Sequence, residues 1–309
     1  MTTTAPDRLL RRLEWRLGRR LDGRLQGAYR TVWHGAGIDF TDLRAYTPED
    51  DVRHIDWNVT ARLDEPFVRQ YTEDREMTAW LVVDRSASMR FGRSSGTSDG
   101  TGGPGGGQGK ESVATDLAVS LGRLVSQGGN RVGAILYDNR AHRVIPPRTG
   151  RDQILRIARE LIRAPESTGP GATTDLAAML RLAAATTTRR RSLVFVMSDF
   201  IGDQDWERPL AMLTHRHEVV VIRVVDPAEL ELPDLGLILV EDAETGEQLL
   251  VDTSDPLLRG RLAAQTGARE EALAEGMRRA GVDPHRITTD QDLLAVLVDM
   301  VRRSGRRRR

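Results

Sequence analysis

Short apolar runs alternate with segments of helical periodicity along the C-terminal three quarters of the chain. Runs bounded by turn residues are typical of buried strands, whereas apolar residues spaced three or four apart indicate a helix with one buried face. The runs predict strands at residues 79–83, 131–137, 142–145, 192–198, 218–225, 236–241, 248–251 and 285–288. The periodic segments predict helices at residues 110–127, 152–163, 175–188, 205–215 and 256–280, followed by a last helix that Asp290 caps. This alternation predicts an α/β fold with a doubly wound, mostly parallel sheet and helices on both faces.

The N-terminal quarter has a different pattern. Residues 8–26 place leucines three or four apart among arginines, which predicts an amphipathic helix. We interpret it as a helix docked on its own protein, with a membrane surface or nucleic acid as alternatives. Residues 35–62 are dense in turn signals and opposite charges, so we predict ion-paired loops there, followed by a strand at 66–71 that pairs with the main sheet. The predicted domains are 1–75, a helical and β extension, and 76–309.

Oxygen-bearing side chains follow the first predicted strand of the main sheet. The apolar residues 79–83 are followed by Asp84, Ser86 and Ser88. If the chain stays extended, these three side chains point the same way, because side chains of a strand repeat every second residue. A carboxylate with two hydroxyls is the oxygen-only chemistry that Mg²⁺ or Mn²⁺ prefers. The segment therefore predicts one part of a metal site.

Two later segments supply further oxygen ligands. Residues 171–175 read Gly-Ala-Thr-Thr-Asp at the start of a predicted helix, and the apolar residues 193–197 are followed by Ser198 and Asp199. Ligand sites of open α/β sheets lie beyond the carboxyl ends of the strands, where these loops are expected to meet. Thr173 and Thr174 are both candidates for the third hydroxyl, and either one is alternatively a simple helix N-cap.

The three segments together resemble the metal-ion-dependent adhesion site of von Willebrand factor A domains. In that family two serines and a threonine bind the metal directly, and the aspartates act directly or through water. Relatives often read Gly-Gly-Thr-Asp-Leu at the third segment, and this alignment selects Thr174 over Thr173. The site that the resemblance implies consists of Asp84, Ser86, Ser88, Thr174 and Asp199.

A second resemblance covers the stretch before this site. Residues 37–62 contain Gly-x-Asp-Phe, then Leu-Arg-x-Tyr-x-Pro-x-Asp-Asp-x-Arg-x-Ile-Asp-Trp, then Ala-Arg. The pattern is similar to the bacterial family called domain of unknown function fifty-eight, whose members are von Willebrand A-like and are often encoded beside MoxR-type AAA+ ATPases. Glu49 stands where a glycine is usual. The resemblance implies a MoxR-type ATPase as a partner, and the stretch itself is either a partner-recognition surface or a buttress beside the metal loop.

Composition excludes several classes of protein and kinds of metal site. The formal net charge is zero, but residues 1–30 hold eight arginines against three acids, and six more arginines lie in 302–309. The rest of the chain is therefore acidic, which does not indicate a nucleic-acid binder. Cysteine is absent, which excludes disulfides and thiolate metal sites. Apolar runs of the roughly 18–20 residues that span a bilayer are also absent, so we expect a soluble cytoplasmic protein. Residues 92–109 are rich in glycine and predict a flexible loop.

The sequence thus predicts a binding module rather than an enzyme. We expect Mg²⁺ or Mn²⁺ with an open position that accepts an acidic residue of a partner protein, and an adaptor or co-chaperone role in the assembly or maturation of a client. One alternative is a metal-dependent phosphoester hydrolase, which would need a base or an arginine near the cation. Arg85 is adjacent in sequence, but strand alternation predicts that it points away. The other alternative is a membrane-surface scaffold that uses residues 8–26.

Overall fold

The computed structural model describes most of the chain from residue 36 to residue 306. The described ranges are 36–47, 50–63, 65–74, 77–90, 109–137, 142–163, 175–187, 191–202, 204–231, 234–241 and 247–306. Three features predicted above lie outside them: the amphipathic segment 8–26, the pair Thr173 and Thr174, and most of the glycine-rich loop. The described residues divide into two compact units, one ending at Met77 and the other beginning at Thr78.

The first unit is a two-stranded antiparallel sheet with a short helix between its strands. Strand β1 (Ala36–Ala45) pairs with β2 (Phe67–Asp74), and helix α1 (Trp57–Leu63) lies between them in sequence. The prediction of loops for residues 35–62 is therefore wrong in part, because the glycine and charged residues of β1 concealed its strand character. The expected pairing of residues 66–71 with the main sheet is also wrong, since β2 pairs with β1 in a sheet of its own.

Acidic side chains organise the turns of this first unit. Asp50 accepts hydrogen bonds from Arg44 at 2.8 and 2.5 Å and from the backbone N–H of Thr47 at 2.9 Å. This contact with the Arg44 guanidinium lowers the pKa of Asp50 to about 2. Asp51 accepts from the N–H of Arg53. Asp56 accepts from two N–H groups at the start of α1 and caps that helix.

The second unit is built on a six-stranded sheet. Its strands are β3 (Thr78–Asp84), β4 (Arg131–Tyr137), β5 (His142–Arg148), β6 (Leu193–Ser198), β7 (Glu218–Val225) and β10 (His285–Thr288). The spatial order is β5-β4-β3-β6-β7-β10, and only the edge pair β4–β5 is antiparallel. This is a doubly wound order, and the direction of winding reverses between β3 and β6.

Helices cover both faces of this sheet. They are α2 (Lys110–Gln127), α3 (Arg151–Ile162), α4 (Leu176–Thr186), α5 (Glu207–Arg216), the single turn α6 (Pro227–Leu230), α7 (Pro256–Arg279) and α8 (Leu293–Arg306). Trp80 and Val82 of β3 belong to a buried cluster with residues of α4, α5 and α7. Leu81 points to the opposite face, where Gly122 of α2 approaches it closely. The predicted fold class, α/β with a mostly parallel sheet between helices, is confirmed.

A separate hairpin lies between β7 and α7. The strands predicted at 236–241 and 248–251 are present as β8 (Leu237–Glu241) and β9 (Gln248–Asp252). They form an antiparallel pair that is not part of the main sheet. The predicted start of the last helix is wrong: this helix begins at Leu293, and Asp290 instead accepts a hydrogen bond from the Thr288 hydroxyl. Among the described residues, none of the helices is long and apolar enough to cross a membrane.

Candidate metal centre

The carboxyl ends of β3 and β6 meet where the winding of the sheet reverses. Asp84 is the last residue of β3, and Ser198 is the last residue of β6. The Ser198 hydroxyl donates a hydrogen bond of 2.7 Å to Oδ2 of Asp84, and both residues are fully buried. Parallel pairing of the two strands thus brings together polar side chains that are 114 residues apart.

The two serines after β3 are adjacent in space. The N–H of Ser86 donates to Oδ1 of Asp84 at 2.9 Å, which turns the chain, and Ser88 begins a 3₁₀ turn. The Oγ atoms of Ser86 and Ser88 lie 3.0 Å apart, and both residues are buried. The predicted convergence of these hydroxyls is present, although a local turn produces it rather than an extended strand.

The side chain of Arg85 occupies a different environment from the serines. Its guanidinium donates to the backbone carbonyls of Glu160 and Arg163 and to the carboxylate of Glu111. Glu111 lies in α2, Glu160 lies in α3, and Arg163 directly follows α3. Arg85 therefore fastens the helices on one face of the sheet, as expected for a side chain that points away from Ser86.

Asp199 follows β6 in a constrained loop. Its Oδ1 accepts from the N–H of Ile201 at 3.1 Å, and its backbone carbonyl accepts from Nε of Arg223. The next residue, Phe200, has a φ of +55°, which is unusual for a residue with a side chain. Its N–H donates to the Ser198 hydroxyl, and its ring packs edge-on against Trp206 at 5.3 Å between ring centres. These contacts fix the position of the Asp199 carboxylate.

A buried lysine shares this site, and sequence reasoning missed it. Lys110 is the only lysine of the chain, and its side chain is fully buried at the start of α2. Its Nζ donates to Oδ2 of Asp199 at 2.7 Å and also to Oε1 of Glu229 in α6. A single lysine in a chain that otherwise uses arginine was the available signal, but its partners are 89 and 119 residues away in sequence.

The electrostatics of the site favour a cation. Burial and the charge of Asp199 raise the pKa of Asp84 to about 6, against the opposing effect of its hydrogen-bond donors. Burial also raises the pKa of Glu229, although Lys110 lies beside it. Asp199 and Glu229 share the Lys110 ammonium, and the charge of Asp199 also acts on Asp84. A divalent ion here would balance negative charge that burial makes costly.

The donor set fits a hydroxyl-bound Mg²⁺ or Mn²⁺. Octahedral Mg²⁺ holds its ligands at 2.0–2.1 Å, so two adjacent ligands are roughly 3 Å apart. The Oγ atoms of Ser86 and Ser88 are hydrogen-bonded to each other at 3.0 Å, a distance compatible with that separation. Within the part of the chain that the structure describes, three or more histidines or acids are nowhere grouped around a common point.

The structure also constrains the third predicted hydroxyl. Thr174 and Thr173 lie outside the described residues. The N-cap of α4 is Asp175, whose Oδ1 accepts from the N–H of Ala178 at 2.7 Å. The interpretation of either threonine as this N-cap is therefore wrong.

His217 proves to be structural. Its ring is buried and contacts the Thr187 hydroxyl at 3.1 Å. Its Nδ1 accepts from the N–H of Ser192. Burial lowers the pKa of His217, which favours the neutral ring.

Comparison with known proteins identifies the family. The family described as "Protein of unknown function DUF58" matches residues 42–272, and the chain belongs to it. The chain is 38% identical over 300 residues to the uncharacterized protein Rv1480 of Mycobacterium tuberculosis, which covers 97% of this chain and 89% of that protein. The uncharacterized protein MAV169 of Mycobacterium avium is 36% identical over 158 residues, covering 51% of this chain and 92% of that protein. The family expected from the sequence is confirmed.

Solved structures similar to the chain include von Willebrand A-type proteins. A conserved hypothetical protein BatB from Bacteroides thetaiotaomicron has a TM-score of 0.45 and 13% identity, covering 74% of this chain and 99% of that one. The VWA domain of SpRpn10 has a TM-score of 0.38 and 13% identity, covering 73% of this chain and 95% of that one. The strand order described above, rather than these similarities, defines the α/β fold.

Proposed function

We propose that this chain is a metal-dependent protein-binding adaptor. The observation that carries the proposal is the buried pair of serine hydroxyls, 3.0 Å apart, at the sheet edge where Asp84 and Asp199 also lie. Ser86, Ser88 and Thr174 are the proposed ligands of Mg²⁺ or Mn²⁺, and the two aspartates balance its charge. The bound ion would supply a Lewis-acidic position for a carboxylate of a partner protein.

The protein residues prepare this position before a partner arrives. The Asp84 carboxylate is held by the Ser86 N–H and the Ser198 hydroxyl, and the Asp199 carboxylate by the Ile201 N–H and Lys110. Neutral hydroxyls donate less charge than carboxylates, so an ion bound by serine remains able to attract an acidic side chain. The family resemblance adds the partner: a MoxR-type AAA+ ATPase, with the chain acting as an adaptor or co-chaperone for a client complex.

Calorimetric titration tests the metal site. We expect Mg²⁺ or Mn²⁺ to bind the wild-type chain with measurable heat, and we expect Ser86→Ala to lose at least tenfold in affinity, about 1.4 kcal/mol. Ser254→Ala is the matched control, because the Ser254 hydroxyl is exposed and its hydrogen-bond partner is Asp252, which is not one of the proposed metal-site residues. Equal heats for the wild type and Ser86→Ala would contradict the proposal.

Affinity capture tests the partner. We expect the immobilised chain to retain a MoxR-type ATPase from its host in Mg²⁺ and to release it in chelator. Ser86→Ala should behave as the wild type does in chelator. Recovery of the ATPase in neither condition would remove this partner while leaving the metal site untouched.

The hydrolase alternative receives no support from Arg85. A phosphoester hydrolase would need a base or a cation directed toward the metal-bound substrate. The Arg85 guanidinium is instead bound by the carbonyls of Glu160 and Arg163.

A further inference from the structure

The hairpin of β8 and β9 presents an apolar face to solvent. Leu237 and Leu239 lie two residues apart on β8 and share a face, and the register places Leu250 of β9 opposite Leu239. These three side chains are 66%, 61% and 60% exposed. Singly scattered surface leucines are common, but a contiguous apolar patch marks an interaction site.

Hydrogen bonds at the base of the hairpin fix this patch in place. The buried hydroxyl of Thr253 donates to the carbonyl of Gly236 at 2.7 Å and accepts from the N–H of Leu235 at 2.9 Å. The N–H of Thr253 also donates to Gly236 at 2.8 Å. Asp255 then caps α7 directly after the hairpin. The leucine face is thus preformed, which lowers the entropy that binding would cost.

The sequence around the patch is strongly acidic. Residues 234–252, which include the hairpin, contain six acidic residues and neither arginine nor lysine. An apolar face within a negatively charged segment favours a partner that combines apolar side chains with positive charge. A basic amphipathic helix has this combination, and helices of this type bind through residues spaced three or four apart.

One segment of the same chain carries the complementary chemistry. Residues 8–26, outside the described residues, place leucines at positions 10, 13, 17 and 21 and hold seven arginines against two acids. We infer that residues 8–26 dock on the β8–β9 face of their own chain, with leucines against Leu237, Leu239 and Leu250. The arginines then lie near the surrounding acids. This inference does not depend on the proposed metal site.

Cysteine cross-linking of the full chain tests the docking directly. The natural chain contains no cysteine, so two introduced cysteines form a unique pair. We expect Leu17→Cys with Leu239→Cys to be joined within one molecule by a short bismaleimide, identified by mass spectrometry of the linked peptides. The matched control pairs Leu17→Cys with Met212→Cys, since Met212 is another exposed apolar residue, on α5. Because docking raises the effective concentration at one site, the yield at Leu239 should exceed the control by at least about fivefold.

Charge reversal tests the electrostatic part. We expect Arg16→Glu with Arg20→Glu to reduce the yield of the Leu17–Leu239 link at least about twofold, because like charges then oppose the acidic hairpin. Circular dichroism of each variant checks that its fold is unchanged, since all the replaced residues are either exposed or outside the described residues.

Each contrary outcome identifies a different occupant or none. Equal yields at Leu239 and Met212 would overturn the docking. A link found only between two molecules would overturn docking within one chain and show that residues 8–26 dock on the hairpin of a second copy. Absence of the link, together with sedimentation on phosphatidylserine vesicles that is lost in the charge-reversed variant, would assign residues 8–26 to a membrane surface instead.

Discussion

Replacement of Lys110 by methionine tests the central electrostatic contact of the site. Methionine keeps an unbranched apolar stem of similar length but lacks the ammonium that Asp199 and Glu229 share. The side chain of Lys110 is 0% exposed and that of Asp199 is 1% exposed, so water cannot replace the lost partner. Lys110→Met therefore leaves a buried carboxylate without its cation.

The expected cost follows from this burial. Removing one partner of a buried ion pair costs about 3–5 kcal/mol, because the remaining charge stays buried and uncompensated. For a unit of roughly 150–250 residues, each kcal/mol corresponds to about 2–4 °C in Tm. We therefore expect the melting temperature of Lys110→Met to fall by about 6–20 °C.

Thermal unfolding in chelator, followed by circular dichroism, measures this loss. Arg278→Met is the matched control, because Arg278 pairs with Glu275 on the surface and both side chains are more than half exposed. An exposed pair contributes less than about 1 kcal/mol, so the control should melt within about 4 °C of the wild type. The double variant Lys110→Met with Asp199→Asn should recover part of the loss, because it removes the unpaired charge.

A small effect would refute the reasoning. If Lys110→Met melts as close to the wild type as Arg278→Met does, the ion pair does not contribute to stability. If the double variant is less stable than Lys110→Met alone, the cost does not arise from the unpaired Asp199 carboxylate. Neither result depends on whether a metal binds.

Three further predictions concern Asp84 and two glycines of the second unit. The pKa of Asp84 is raised to about 6 in the folded state, so the folded protein binds this proton more tightly than the unfolded chain does. The contribution of Asp84 to the free energy of unfolding is therefore greatest below about pH 4 and is lost as the pH rises through about 6. Urea unfolding in chelator between pH 4 and 7 should show a loss of up to about 3 kcal/mol that Asp84→Asn lacks, and identical pH profiles would contradict this. Gly133→Ala should cost about 1–3 kcal/mol, because its Cβ would lie 2.9 Å from the Trp80 ring. In α7, a Cβ at Gly267 would meet nothing within 4 Å, so Gly267→Ala should raise the free energy of unfolding by about 0.5–1 kcal/mol. Urea unfolding measures both glycine variants. A Gly133→Ala protein as stable as the wild type would contradict the close approach to Trp80.

The best-predicted elements have strong local signals. Strand β7 and helix α2 begin and end at the predicted residues. A continuous apolar run defines β7, and α2 lies between Gly109 and a pair of glycines that end it. By contrast, β1 was missed because its glycine and charged residues resemble turn signals, although its alternation of apolar and polar residues is a strand pattern. Its partner β2 was then assigned to the wrong sheet, because strand pairing is not encoded within the strand itself.

The candidate site also has one part that the local sequence determined and one part that it did not. The spacing of Asp84, Ser86 and Ser88 by itself determined a local turn with converging hydroxyls, because the hydrogen bond that makes this turn joins atoms only two residues apart. The fold class likewise followed from the order of apolar runs and helical segments.

Only the tertiary structure decided the partners of the buried charges. Lys110 meets Asp199 and Glu229 because the winding of the sheet brings the start of α2, the end of β6 and the turn α6 to one edge. No local pattern specifies such a contact, since a buried ammonium takes whichever carboxylates the strand order places beside it. The sequence determined which oxygen-bearing side chains this chain offers, and the packing of distant segments decided which carboxylates bind the Lys110 ammonium.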